Sequence, residues 1–335
     1  MSHAMVFYIT TLLVYGGVDV LACLGLSLEY GIAGVANFGF VVFQAAGAYT
    51  AAILSLPPDS ANGGFQQYAG GLGLPFPLPW IAATLVGALV AVPFAGLMGR
   101  KLRHDNLAIA LLITAVIANT VVTNYQPLFN GDAGLALVPA PLGVLADPQS
   151  DGYQWLFSVV TIALCVVVYI IIRRLTESPY GRSLRAVRDN DLAAEAVGKD
   201  VRGLRTSAVI VGGAVAGLSG AVLVGFINVW APSAWEYQET VVLIAAVIVG
   251  GLGNNIGAIL GAILVPLGFA EATRFIPPFG PPGLVPALEW VAIGALVLLF
   301  LWFRPSGVVP ERRRVIASTA GPYSIASADL SDAER

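Results

Sequence analysis

One arginine-rich stretch of this sequence combines side-chain types and spacing that suggest a specific role. Eight of the 17 basic residues lie within residues 173–205. Inside this stretch, Ser178 followed by Pro179 is typical of a helix N-cap with proline at the first helical position. A row of charges on such a helix suits binding of acidic lipid headgroups or of a partner protein. The arginines that would share one face of this helix are Arg182, Arg185 and Arg188.

A second short helix is predicted directly after the first. The Asp189-Asn190-Asp191 triplet can break the first helix and cap another, from Leu192 to Val197, and Gly198 stands where a C-terminal cap is expected. The loop is longer than the roughly two to eight residues that usually connect helices. Two interpretations stay open from chemistry alone: a solvated loop that binds acidic lipid headgroups, and a docking element for a cytoplasmic protein.

Polar side chains and glycines inside apolar segments form a second group of candidates. Asp19 lies within the first apolar run, and an intramembrane carboxylate is a candidate functional site, although a hydrogen-bonded Asp facing the bundle is the preferred interpretation. Asn37 and Gln44 add side-chain donors and acceptors. Glycine-rich breaks expose backbone groups that are tolerated at membrane depth only where they line a cavity. The alternative for most of these glycines is close helix packing. The spacing predicts such contacts on one helix face for Gly213 and Gly217 and on another for Gly253, Gly257 and Gly261.

The sequence contains no recognisable catalytic or metal-binding motif. It lacks the Gly-x-x-x-x-Gly-Lys-Ser/Thr phosphate-binding loop, so we do not expect the chain to bind ATP through one. It also lacks a Gly-x-Ser-x-Gly nucleophile motif, and its two histidines, His3 and His104, have no ligand neighbours. We therefore predict no catalytic residue, no metal site and no cofactor in this chain.

The composition places these residues in a membrane protein. Of 335 residues, 57% are hydrophobic and 11% are charged, whereas soluble domains carry about 25% charged residues. This excludes a soluble enzyme, a secreted disulfide scaffold and a disordered chain. The net charge of −3 gives no indication of a nucleic-acid partner. We predict an all-α polytopic membrane protein with about nine transmembrane helices, within a range of eight to ten.

The second and seventh predicted spans are the weakest because glycine clusters flank them, and either could be a broken or partly inserted helix. Residues 1–303 are predicted to form one transmembrane domain. Residues 304–335 are predicted to form a cytoplasmic tail, which is expected to be disordered. The predicted spans are 5–28, 34–56, 80–98, 107–125, 154–172, 206–230, 239–252, 255–273 and 287–303.

The basic residues also predict the orientation. Sixteen of the 17 fall on one side of the nine-span arrangement, and Arg274 alone falls on the other. By the positive-inside rule, the side with sixteen faces the cytoplasm, and the C-terminus lies there. The N-terminus lies outside if all nine spans are present.

Three segments resemble the membrane subunits of ABC importers for branched-chain amino acids. They run from Ser178 to Gly198, from Gly31 to Gly39 and from Gly250 to Gly257, and the resemblance extends over residues 25–270. In that family the first segment docks on the ATPase subunits. The resemblance therefore implies a coupling loop at residues 173–205. Its implied coupling residues are Gly181, Arg182, Arg185, Asn190, Ala194, Glu195 and Gly198.

The two glycine-rich segments imply a translocation path. One position departs from the family pattern, because Phe40 stands where the family often has a histidine. If that position contacts substrate, a different or less polar ligand is implied. The implied path residues are Asn37, Phe38, Gly39, Gln44, Gly250, Gly251 and Gly253.

The resemblance implies a non-catalytic permease subunit in the bacterial plasma (inner) membrane. The implied partners are a paralogous permease subunit in a heterodimer, two cytoplasmic ABC ATPases that bind ATP and Mg²⁺, an extracytoplasmic substrate-binding protein, and membrane lipid. Branched-chain amino acids are the implied substrate, and urea or short amides, which close relatives carry, are the alternative. An ion-coupled secondary transporter with Asp19 as its proton or cation site is a further alternative. The odd number of spans and the folded loop argue against it.

Overall fold

The computed structural model describes residues 3–58, 65–98, 104–274 and 284–311. Within these ranges the regular elements are helices, joined by turns and two isolated β-bridges. The helices, in chain order, are α1 (His3–Leu26), α2 (Val41–Ser55), α3 (Leu78–Met98), α4 (His104–Asn124), α5 (Gln126–Phe129), α6 (Asp151–Glu177), α7 (Pro179–Asp189), α8 (Asp191–Ala196), α9 (Val201–Ile227), α10 (Tyr237–Gly250), α11 (Asn255–Ala262), α12 (Gly268–Arg274) and α13 (Leu284–Phe303).

Several of these helices have the length and composition of membrane spans. Five are long and apolar enough to cross a membrane: His3–Ile32, Leu78–Leu97, Asn106–Asn124, Asp151–Glu177 and Val201–Ile227. Shorter apolar helices cover Val41–Ser55, Asn255–Leu267 and Trp290–Phe303. The chain is therefore an all-helical, multi-pass membrane protein, and the total of about nine spans stays a prediction.

The predicted span at residues 34–56 is shorter in the structure. Helix α1 continues through a π-helical turn at Ser27–Ile32, the chain is then irregular, and α2 begins only at Val41. A physical reason lies in Asn37, whose Oδ1 accepts the Gly39 N–H at 3.0 Å. Such local side-chain bonding competes with helix formation. The predicted span at 255–273 is also interrupted, because Pro266 falls in a π-helical turn between α11 and α12.

Glycines bring α9 into backbone contact with α2 and α3. A Cβ added at Gly217 of α9 would lie 3.0 Å from the Cα of Gly87 in α3, and one added at Gly213 would lie 2.9 Å from the Gly87 carbonyl oxygen. A Cβ at Gly47 of α2 would overlap the Gly217 backbone. The interpretation of Gly213 and Gly217 as a close-packing pair is therefore confirmed.

A second glycine contact joins α10 to α11. A Cβ at Gly257 would lie 2.6 Å from the Gly250 carbonyl oxygen, and one at Gly261 would overlap the carbonyl group of Ala246. The prediction that Gly253 shares this helix face is wrong. Gly253 lies in the turn before α11, where Asn254 caps the helix by accepting the Ile256 N–H at 3.0 Å.

The two ends of the bundle differ in charge. Helices α7 and α8 and residues 304–311 lie together at one end, which we call the arginine-rich end. Arg274 lies at the opposite end, 4.8 Å from the ring centroid of Tyr8. Residues 99–103, with three of the predicted cytoplasmic basic residues, and residues 312–335, most of the predicted tail, lie outside the described residues.

Candidate functional site

Helix α7 begins as the sequence predicts. Ser178 is its N-cap, with Pro179 at the first position, and the Ser178 Oγ accepts the Gly181 N–H at 3.5 Å. Gly181 is buried where a Cβ would overlap the Thr176 backbone. The glycine therefore lets α7 turn back closely against the end of α6.

Helix α8 also follows the predicted capping pattern. The Asn190 Oδ1 accepts the Ala193 N–H at 3.0 Å, and the helix spans Asp191–Ala196, one residue earlier than predicted. Gly198 has a φ of +78° and donates its N–H to the Glu195 carbonyl oxygen at 2.9 Å. Both predicted short helices and their caps are therefore confirmed.

Contacts with α9 fix the two short helices against the bundle. Ala194 is 3% exposed and packs in a small cluster with Val187 and Val201. The Arg205 guanidinium forms a two-pronged ion pair with the Asp191 carboxylate, at 2.7 and 2.8 Å. Sequence reasoning missed this pair, because the two residues are 14 positions apart and lie on different helices.

The outer surface of this helix pair is partly apolar. Leu192 is 78% exposed and Val197 is 75% exposed, although both belong to a polar, arginine-rich loop. Glu195, which lies between them in sequence, and Arg182 of α7 are also exposed. Exposed apolar side chains on a rigid, capped element favour a protein contact over simple solvation.

Two of the three predicted face arginines turn inward instead. The Arg185 Nε contacts the Glu311 Oε1 at 2.9 Å and its Nη1 donates to the Thr176 carbonyl oxygen at 3.0 Å. The Arg188 Nη2 contacts the Glu311 Oε2 at 2.9 Å, and its Nη1 donates to the Gly31 carbonyl oxygen at 2.5 Å. Sequence reasoning missed Glu311 because no local pattern marks it.

The charge on Arg188 is held by its neighbours. Burial acts to lower the pKa of this guanidinium, but ion pairs with Glu311 and Asp189 act in the opposite direction and leave the pKa above its ordinary value. Arg188 therefore remains a cation in this partly buried position.

The two glycine-rich segments meet beside Arg188. A Cβ at Gly31 would lie 2.7 Å from the Gly253 nitrogen, and one at Gly253, whose φ is +81°, would lie 3.0 Å from the Arg188 Nη1. Only a residue without a side chain fits this approach. A cavity of about 440 Å³ opens here, lined by Tyr30, Gly31, Gly34, Arg188, Leu252 and Glu311. All three segments singled out in the sequence thus converge at the arginine-rich end.

Asn37 and Gly39 lie deeper, around a buried carboxylate. The Asn37 Nδ2 donates to the Glu29 Oε2 at 2.8 Å, and both side chains are fully buried. Within the described part of the chain, the Glu29 Oε1 has no hydrogen-bond partner, and it points at Gly212 of α9. Sequence reasoning missed Glu29, although a carboxylate at the end of an apolar run is a recognisable signal.

The remaining path candidates are spread along the bundle. Phe38 is partly buried on the core, and Gln44 lies in α2 against Gly220 of α9. Phe40 is fully buried, with its ring 6.1 Å from that of Phe43. It packs in the core and does not line the cavity, so the departure from the family pattern has a packing explanation.

Gly250 and Gly251 lie at the end of α10. The Gly250 carbonyl oxygen accepts the Val309 N–H at 3.0 Å, and a Cβ at Gly251, whose φ is +121°, would overlap the backbone of Val309. These two glycines therefore form the site where residues 304–311 cross the second glycine-rich turn.

Comparisons with known proteins indicate one family of transport proteins. The family described as "Branched-chain amino acid transport system / permease component" matches residues 8–326. LivM of Methanocaldococcus jannaschii, a probable branched-chain amino acid transport permease protein, is 26% identical over 91% of this chain and 94% of its own length. LivM of Escherichia coli K12, a high-affinity branched-chain amino acid transport system permease protein, is 26% identical over 87% of this chain and 67% of its own length.

A second type of relative also matches. LivH of Methanocaldococcus jannaschii, another probable branched-chain amino acid transport permease protein, is 26% identical over 79% of this chain and 80% of its own length. No solved structure matches the chain. Because the family match covers almost the whole sequence and the helical membrane fold agrees with it, the chain belongs to the branched-chain amino acid transport permease family.

Proposed function

We propose that this chain is the membrane subunit of an ATP-driven importer for branched-chain amino acids delivered by an extracytoplasmic binding protein. The observation that carries the proposal is the pair of capped helices α7 and α8. Its outer side exposes Leu192 and Val197, and its inner side, through Arg188, touches both glycine-rich turns. A rigid element that contacts a partner on one side and two breaks in membrane helices on the other can transmit movement.

In this mechanism the partner ATPases, which bind ATP and Mg²⁺, dock on the outer side of α7 and α8 at the cytoplasmic surface. The positive-inside rule supports this orientation. A shift of α7 moves Arg188, which bonds the Gly31 carbonyl oxygen and lies against Gly253. The glycine turns therefore receive the movement first, and the helices that follow them, α2 and α11, open or close the path.

The partners proposed for this chain follow from the same reasoning. Relatives of both the LivM and the LivH type match the chain, which supports a transporter with two different permease subunits. The names of these relatives support leucine, isoleucine and valine as substrates.

Reconstitution tests this proposal directly. The chain is purified with its co-expressed ATPases and permease partner and placed in vesicles, and uptake of labelled leucine and of urea is measured with the binding protein present. We expect the ATPases to co-purify and leucine uptake to require ATP and to survive an uncoupler. Uptake of urea in place of leucine would show that the substrate is wrong. Uptake without ATPases that an uncoupler abolishes would instead support a secondary transporter using Asp19.

A further inference from the structure

The segment after α13 returns across the arginine-rich end of the bundle. Residues 304–311, which we call the C-terminal strap, pair with the end of α10, where the Val308 N–H donates to the Val249 carbonyl oxygen at 2.8 Å. The Asn254 Nδ2, at the start of α11, donates to the Pro310 carbonyl oxygen at 3.0 Å. The strap therefore holds both sides of the second glycine-rich turn through main-chain atoms.

Glu311 joins this strap to the docking helix. Each of its carboxylate oxygens contacts a different arginine of α7, Oε1 with Arg185 and Oε2 with Arg188, both at 2.9 Å. Exposed ion pairs contribute little to stability. Here, however, the side chains of Arg185, Arg188 and Glu311 are only 22–31% exposed, and the Glu311 carboxylate orients both arginines at once.

The strap thus forms a second route from α7 into the bundle. The direct route runs from Arg188 to the Gly31 carbonyl oxygen, at the first glycine-rich segment. The route through Glu311 reaches Val249, Gly250 and Asn254, at the second. Because Glu311 directly follows residues 308–310, which are bonded to the turn between α10 and α11, a displacement of α7 pulls on that turn.

We propose that Glu311 is a positioning residue that couples the docking helix α7 to the turn between α10 and α11. This inference rests on the proposed function, because the movement it transmits is the one that the ATPases impose on α7. Glu311 is 24% exposed and contacts the two inward-turned arginines of α7, whereas Leu192 and Val197 of the docking surface are mostly exposed. Removing its charge leaves the docking surface intact and loosens the connection to the transport path.

The test compares Glu311→Gln with Glu177→Gln in the complete complex reconstituted in vesicles. Glu177 is the last residue of α6 and lies outside the docking helices α7 and α8. It forms an exposed ion pair with Arg173 at 3.1 Å and serves as the matched control. The readouts are the amount of ATPase that co-purifies and the leucine transported per ATP hydrolysed. For Glu311→Gln we expect normal co-purification of the ATPases. We expect the leucine transported per ATP hydrolysed to fall by at least about fivefold, which is the lower end of the factors that typical coupling energies produce. Glu177→Gln should match the wild type in both.

A third variant separates a charge effect from misfolding. Glu311→Asp keeps the carboxylate, and we expect it to recover a substantial part of the coupling that Glu311→Gln loses. A normal transport-to-ATP ratio in Glu311→Gln overturns the inference, as does loss of ATPase co-purification in that variant, which would indicate a merely structural role. Failure of the wild-type chain to recruit ATPases would instead refute the proposed function, and the inference would fall with it.

Discussion

The exposed leucine of α8 allows a quantitative test of the docking surface. Full burial of a leucine side chain contributes about 1.5–3 kcal/mol, and Leu192 is 78% exposed before any partner binds. If the ATPase covers it, Leu192→Ala removes about 1–2 kcal/mol of that burial and weakens binding by roughly fivefold to thirtyfold. The folded state of the isolated permease loses little, because the side chain has few contacts there.

The assay is a titration of the purified ATPase against the permease in detergent. The Kd is measured for the wild-type permease and for the Leu192→Ala variant. The control is Leu298→Ala in the apolar helix α13, where this leucine side chain is 69% exposed. We expect wild-type Kd for this control. An unchanged Kd for Leu192→Ala, or an equal loss in both variants, would refute the reasoning that α8 presents the docking surface.

Two further changes probe the interior. Gly217→Ala should lower the free energy of unfolding by about 1–3 kcal/mol relative to Gly294→Ala, and with it the apparent Tm. The reason is that an added Cβ meets backbone at Gly217 and nothing within 4 Å at Gly294. Helix propensity changes equally in both variants, so equal Tm values would contradict this prediction. Asn37→Ala should lower the free energy of unfolding by about 1–3 kcal/mol, because the buried Glu29 side chain then loses the hydrogen bond that the Asn37 Nδ2 donates to it. Glu29→Gln, which keeps an acceptor, should cost less in the same thermal assay, and the reverse order would show that Asn37 acts in another way.

Local signals explain what the sequence predicted well. The caps at Ser178, Asn190 and Gly198 act within three residues of their own positions, so the bounds of α7 and α8 follow from residue types alone. The membrane class follows in the same way from long apolar stretches. The close approach of Gly213 and Gly217 was also visible, because their spacing places them on one helix face.

Long-range contacts explain what the sequence did not show. Glu311 is 126 residues from Arg185, and nothing around either residue announces the other. The glycine clusters had marked the 34–56 span as one that could be broken. Its start was nevertheless predicted too early, because residues 34–40 are apolar enough to pass for helix and the Asn37 side chain bonds the backbone there. Glu29 was overlooked for a related reason, since a single carboxylate barely changes the hydropathy of a long window.

The glycine contacts of α9 have a mechanical consequence. Where backbone meets backbone, as at Gly217 with Gly47 and Gly87, no side chain can change rotamer to let one helix slide past another. Helices α2, α3 and α9 must therefore travel as one rigid block. The π-helical turns at Ser27–Ile32 and Ile263–Leu267, which belong to none of these three helices, break the regular hydrogen-bond ladder at two points. We expect these turns to serve as the hinges about which the rest of the bundle bends.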